Sequence, residues 1–499
     1  MSDYQVTKCD LESVSKTFKD QILLNPNRIQ NLINLAQNKK LNNIRELRPI
    51  AYKIFLNVIP KNENHSLENW VNIIDNQRKE YKSKLKKYTS IDEFKKINDP
   101  LEISITPNTE INCHRDPNSI IRIDLDRTNQ SMEIFRENRT KTILANVLYI
   151  WSKENEDVKY RQGMHELIAI LFLILYPYYL KNNCKPKPEK KDIILYLNDI
   201  ETQYEKIYLF FHDEDEIQAD LFFLFSNLLS CEMKNLFQDI DIKEKDKNYN
   251  LYHLFDDMII NSKDEDRPNL INRRIALLVK EKLKLVDNRL YRHFQRIQLN
   301  CNLFLYRWYK CIFAREFNKE DVFILWDKIL VYDYLHCDDP KFKYHLLYMD
   351  FICIAMLLRV RTKLINEDEN KCFSVLFNMP EVEDISEILE ISEKIREPLE
   401  NKLMGENSDF SGILKYIKNR YKEQYENVNT EEESENINLR PHNYRKVGHN
   451  YILMENNDSD FAKICGRRFN KNILYVLGTI SLIGIFIYWM FIYKNKVNK

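Results

Sequence analysis

Residues 160–177 read YRQGMHELIAILFLILYP, and this stretch decides the fold. Ten consecutive apolar positions, Leu167 to Tyr176, are stopped by Pro177. The run is too short for a bilayer, whose apolar core takes about 20 helical residues, and His165 and Glu166 stand directly before it. A helix with no polar face belongs inside a core, covered by other helices. Those helices are legible on either side. Ile143, Leu144, Val147, Leu148 and Trp151 recur three and four apart. Leu32–Leu41, 66–97, 121–135, Ala219–Leu229, Arg274–Phe294, Leu303–Phe313, Val322–Leu330 and Leu346–Leu364 carry similar spacing, and 378–422 reads as one or two closing helices. The stretches 98–116, 184–192 and 261–269 read as loops. Strand signatures are scarce, with no alternating run bounded by Asn-Gly or Asp-Gly. The expected class is all-α.

Composition narrows the chemistry. Lys plus Arg and Asp plus Glu both total 75 in 499 residues, a net charge of zero, so nothing suggests a nucleic-acid partner. The 10 Cys are scattered without a CxxC pair, as reduced thiols and not as a zinc or disulfide framework. Seven Gly, no GxxxxGK[ST], no GxSxG and no HExxH leave no phosphate cradle, serine nucleophile or zinc helix.

The C-terminal end reads differently. Ile473 to Tyr493, ILYVLGTISLIGIFIYWMFIY, is 21 residues without a charge. As a helix it spans roughly 30 Å. Arg467, Arg468 and Lys471 precede it, Lys494, Lys496 and Lys499 follow, and Tyr488, Trp489 and Tyr493 sit where aromatic rings favour an interface. The N-terminus has no apolar signal region. The expectation is a single-pass tail anchor in a lipid bilayer, with the bulk of the chain cytosolic. Basic flanks of this kind serve the endoplasmic reticulum, mitochondrial outer membrane or peroxisomes alike. Residues 423–472, acidic and Asn-rich, read as a flexible linker to it.

Three separated stretches carry a resemblance. Ile121-Arg-Ile-Asp124-Leu-Asp-Arg127-Thr128 is similar to IxxDxxRT; Tyr160-Arg-Gln162-Gly163-Met164 is similar to YxQGM; Arg307 to Asp327, RWYKCIFAREFNKEDVFILWD, is similar to an element with RW, FxREF and WD. Arg48-Pro49 with Tyr52 and Pro60 resembles the same domain's opening. In order and at these separations they resemble the TBC domain of the Rab GTPase-activating proteins, over about 45–370, and within it the subgroup linked to endosomal traffic. Two departures stand out. Asn129 and Gln130 occupy positions where the family commonly has an aromatic and Pro, and Tyr52 stands where it commonly has Trp.

The resemblance implies a helical domain that stimulates GTP hydrolysis by a partner Rab and has no enzyme activity of its own. GTP and Mg2+ are carried by the partner; the chain needs no cofactor and no metal. It implies Arg127 as arginine finger and Gln162 as glutamine finger, with Asp124 restraining the guanidinium and Tyr160 and Gly163 shaping the Gln162 loop, Gly163 by allowing close backbone approach. Taken alone, Arg127 after Asp124 is an ordinary solvated ion pair and Gln162 an ordinary loop residue. Arg315 and Glu316 read as a structural ion pair and Arg307 and Trp308 as scaffold. The expected organisation is a 1–44 extension, the 45–370 domain, closing helices at 371–422, the 423–472 linker, the 473–493 anchor and a 494–499 basic tail. The rival reading is a catalytically inactive, membrane-anchored Rab-binding scaffold.

Overall fold

The computed structural model describes residues 10–61, 65–89, 117–179, 188–230, 233–234, 236–237, 270–336, 347–403, 405–422, 444–447 and 450–453. The chain divides into two units, 1–240 with 269–422 and 241–268 with 423–499.

The described part of the first unit is built from helices. At its centre lies Met164–Leu175, where only Glu166 escapes burial, packed against Arg48–Phe55, Asn138–Glu154 and Ile217–Leu228. A continuous apolar run is what such a position requires. The 23-residue helix Leu67–Thr89 is one-sided instead. It buries Trp70, Val71, Ile74 and Tyr81 and packs on Ile217–Leu228. Tyr348–Arg359, buried along all but its last residue, packs on Lys319–His336 and Ser386–Leu403, the first of two closing helices; the second is Ser411–Arg420.

Buried charges lock distant parts of this unit together. Arg48 donates to Asp327 from Nε and Nη2 at 2.9–3.1 Å, and the Tyr52 hydroxyl donates to the same carboxylate at 3.0 Å. The opening motif and the WD motif are therefore two halves of one contact. Tyr52, where the family commonly has Trp, supplies a hydrogen bond that satisfies the carboxylate.

Two readings change. The periodic stretch Arg274–Phe294 is one element by apolar spacing, yet the chain breaks at Asp287 (φ −144°, ψ 84°). Asp287 accepts from the Leu290 amide at 3.0 Å, starting Asn288–Arg296, and its other oxygen pairs with buried Arg361. An aspartate that caps a new helix outweighs apolar periodicity that would continue the old one. The stretch 121–135 also stops short: Pro117–Asp126 ends as a helix, a turn follows, and Glu133–Phe135 is a 3-10 turn.

In the second unit Tyr444–Val447 and Asn450–Leu453 form an antiparallel pair, Tyr444 opposite Leu453 and Val447 opposite Asn450. This falls inside the segment read as linker. β-branched and aromatic residues on either side of Gly448-His449 favour a hairpin. Among the described residues no helix is long and apolar enough to cross a membrane. The 473–493 segment lies outside them, as do 98–116, 184–187 and 261–269. The end of the 184–192 stretch, read as loop, instead starts the helix Lys190–Tyr196, capped by Glu189.

Candidate functional site

The site starts at the end of the Pro117–Asp126 helix. Ile121, Asp124 and Leu125 are buried. Arg127 is the first residue past the helix, its amide bonded to Asp124 O at 3.3 Å; Thr128 closes the turn through its amide to Leu125 O at 3.1 Å and its hydroxyl to Asp124 O at 2.7 Å. Asn129 then takes φ 44°. Asparagine tolerates that left-handed backbone better than the bulky aromatic residue the family commonly has there, so the departure at 129 has a conformational basis. The Arg127 guanidinium donates through Nη2 to Asp124 Oδ1, with its side chain 56% exposed against 3% for Asp124.

Asp124 has a second partner from another element. The Asn138–Glu154 helix runs out at Glu154, Lys159 turns the chain at φ 58°, and the Tyr160 amide is tied to Ser152 Oγ at 3.1 Å. That places the Tyr160 hydroxyl 2.6 Å from Asp124 Oδ2, donating. Burial, reinforced by the Asp124 carboxylate, pushes the phenol far above its ordinary value, so it keeps its proton. Gln162 follows on the surface. Among the described residues no hydrogen bond holds its carboxamide. Gly163 turns the chain into the central helix at φ 107°. A Cβ there would meet nothing nearer than Phe237 at 3.6 Å, ordinary contact. Gly163 is thus required by its backbone angle and not, as expected, by close approach.

His165 has no role assigned from its sequence position alone. It is buried, its Nδ1 3.0 Å from the Tyr160 hydroxyl and 3.3 Å from the Gly163 amide. Burial lowers its pKa, against the upward pull of Glu166 and Asp124, so the ring is neutral at pH 7. The available signal was a polar residue directly before an all-apolar run.

The third motif frames the site and corrects another reading. Glu316 pairs with Arg307, at 2.6 and 2.8 Å, and not with Arg315. Arg315 is 56% exposed, its Nε 3.8 Å from Glu166 Oε1. The reason lies in the backbone. Ile312 and Phe313 take φ 43° and 58°, conformations unfavourable for a β-branched and an aromatic residue. Trp326 holds the turn, its indole donating to Ile312 O at 2.9 Å, while the Phe313 amide reaches Trp308 O at 3.1 Å. That reversal folds Glu316 back on Arg307 and turns Arg315 outward.

Asp124, Arg127 and Tyr160 thus meet directly, and Gly163 joins them through His165. Gln162 stands on the same loop. Among the described residues no group of three or more His, Cys, Asp or Glu is placed to hold a metal. The arrangement presents a guanidinium and a carboxamide outward.

The chain also resembles known proteins. The model of the Rab-GTPase-TBC domain matches residues 45–259 and 247–365. TBC1 domain family member 5 of Homo sapiens is 24% identical over 405 residues, covering 77% of this chain and 45% of that protein. GTPase-activating protein GYP1 of Saccharomyces cerevisiae is 22% identical over 317 residues, covering 61% of this chain and 40% of the relative. The chain therefore spans less than half the length of these curated relatives. Among solved structures, the Ypt/Rab-GAP domain of Gyp1p superposes with a TM-score of 0.50 at 19% identity, covering 78% of this chain and 98% of that one, a likeness of fold. With its motifs, its helical core and a family model that matches well over half its length, the chain belongs to the Rab-GTPase-TBC domain family.

Proposed function

We propose that this chain accelerates GTP hydrolysis by a Rab-family small GTPase in membrane traffic, Arg127 and Gln162 entering the partner's nucleotide site. The observation that carries the reading is a surface guanidinium tethered to a buried carboxylate. A GTPase alone is slow because charge builds on the phosphoryl oxygens and the attacking water is poorly placed. Arg127, always ionised and presenting fixed donors, offsets that charge. The Gln162 carboxamide, donor at one atom and acceptor at the other, orients the water. Asp124 keeps the guanidinium near its working place until the partner draws it off. Tyr160 stays behind as a protonated donor to the carboxylate. GTP and Mg2+ come with the partner.

The test is phosphate release from a panel of GTP-loaded Rabs with the full chain, beside Arg127→Ala and Gln162→Ala. Acceleration on at least one Rab, lost in both variants, is expected. No acceleration on any folded Rab would leave a Rab-binding scaffold. The reading extends to the bilayer: 473–493 anchors the chain, which concentrates Arg127 and Gln162 on the membrane that carries the GTPase, an endosomal one by resemblance of subgroup. Full-length protein should resist alkaline carbonate extraction, and a chain lacking 473–499 should be soluble. A full-length protein that washes off would remove the anchor and leave the catalytic reading untouched.

A further inference from the structure

We propose that His165 is a positioning residue for the stimulated hydrolysis: through Tyr160 it stabilises Asp124 when Arg127 leaves, and so sets how readily Arg127 reaches the partner. The proposal rests on the reading of Arg127 given above.

Proton counting carries it. The Tyr160 hydroxyl has one hydrogen and two neighbours, Asp124 Oδ2 at 2.6 Å and His165 Nδ1 at 3.0 Å. A short bond to a carboxylate is roughly twice as strong as one between neutral groups, so the hydrogen goes to Asp124. The 3.0 Å contact then needs a proton from the ring. His165 is buried and neutral, with a single N–H to place, and the contact puts it on Nδ1. The Gly163 amide also aims at Nδ1, at 3.3 Å, and would favour the opposite tautomer. It is the longest of the three contacts, and the ring proton goes to the shorter one. Nε2 is left bare, 3.7 Å from Glu166 Oε1 and beyond hydrogen-bond reach.

The result is a directed chain. His165 Nδ1–H donates to Tyr160, Tyr160 donates to Asp124 Oδ2, and Asp124 Oδ1 holds Arg127. A phenol that accepts a hydrogen bond donates a stronger one. When the partner takes Arg127, the buried carboxylate loses its cation, and the reinforced Tyr160 donor limits that loss. The same chain ties the helix that begins beside Gln162 to the helix that ends beside Arg127. The charged and titratable groups around the ring are Asp124 from the Pro117–Asp126 helix and Arg127 just past it, Glu166 from its own helix, Arg315 from the turn after Asn302–Lys310, and Tyr160.

Two measurements test this. In the full chain, His165→Leu should lower kcat for stimulated hydrolysis about tenfold, the scale of one lost hydrogen bond, with KM for the GTPase unchanged. His165→Asn, whose amide can donate from near the Nδ1 position, should recover most of it. In a Tyr160→Phe background, His165→Leu should add nothing. An Asn variant as impaired as Leu, a KM effect alone, or additive losses would overturn the proposal. The second measurement needs no GTPase: ¹⁵N-histidine NMR, with the resonance assigned as the one that His165→Asn removes. The Nδ1–H tautomer is expected, shifting toward Nε2–H in Tyr160→Phe. An Nε2–H ring in the unaltered protein would sink the inference. If the wild-type chain stimulates no Rab, the function fails in the kinetic assay while the tautomer still decides the geometry.

Discussion

Two buried aspartates invite comparison. Asp220 takes Arg78 at 2.8 and 3.1 Å, Lys53 at 2.8 Å and the Tyr179 hydroxyl, and every one of these side chains is buried. Asp124 also takes a tyrosine and an arginine, with a histidine close by, but its arginine lies at the surface. At Asp220 burial drives the carboxyl upward, yet Arg78 and Lys53 outweigh it and hold the group far below the usual carboxylate range. Arg78 is further fixed by the Phe210 carbonyl at 2.7 Å. Nothing in that cluster can move without stranding a charge in the core. At Asp124 the single cation is exposed, and in the proposed function it leaves the carboxylate and returns. The same residue types make a rivet in one place and a latch in the other, and the exposure of the cation is what separates them.

The sharpest way to break the comparison is Arg127→Ala. Stimulated hydrolysis should fall about 10³-fold or more while the melting temperature holds. An early melt would show that Arg127 belongs with Arg78 as a structural cation. Asp220→Ala should do the reverse. Removing one partner of a buried ion cluster costs about 3–5 kcal/mol, read by urea unfolding, while turnover by the fraction still folded stays normal. Retained stability would mean that the cluster is no rivet.

The histidine packed at the Asp220 cluster gives a pH test. His212 stacks on Tyr208, and burial, helped by Lys53, pushes its pKa down to about 3. The native ring stays neutral where the unfolded chain takes up a proton. Its contribution is therefore intact above pH ~6.5 and is lost as pH falls toward 3, at up to about 1.4 kcal/mol per pH unit. His212→Gln should flatten that slope in unfolding curves taken between pH 4 and 7, working range set by roughly these limits. An unchanged slope would place the acid sensitivity elsewhere. The smallest effect separates neighbours in one motif. Arg315→Ala should alter stability by no more than about 0.5 kcal/mol, whereas Arg307→Ala, which strands Glu316, should cost about 1.5–3 kcal/mol by thermal melting. Equal costs would restore the reading of Arg315 as a structural partner.

That last pair shows where legibility ended. The central helix was readable because ten apolar residues and Pro177 leave little choice. Arg127, Asp124, Gln162 and Tyr160 were singled out because they fall in motifs at recognisable spacing, and the structure brings Arg127 and Tyr160 onto one carboxylate. Which of two arginines meets Glu316 was hidden, because a reversed turn at Ile312 and Phe313 decides it and neither residue advertises positive φ. Asp287 was hidden because its cap competes with periodicity that still runs on around it. His165 was hidden because its partners lie on a helix some 40 positions earlier and in its own turn, and only the folded arrangement counts the protons between them.

The Arg48–Asp327 contact also bears on how the chain is made. Its partners are 279 positions apart. At about 5–20 residues per second, a ribosome needs on the order of 15–55 s to reach the aspartate after the arginine. Through that interval Arg48 has no anion waiting for it, although Lys53 on the same helix meets Asp220, 167 positions along. Burying Arg48 early would leave an unpaired cation in the core. The Arg48 end of the opening helix should thus stay hydrated and reversibly docked until the WD segment emerges, and its final seating would report that nearly the whole helical domain has been synthesised.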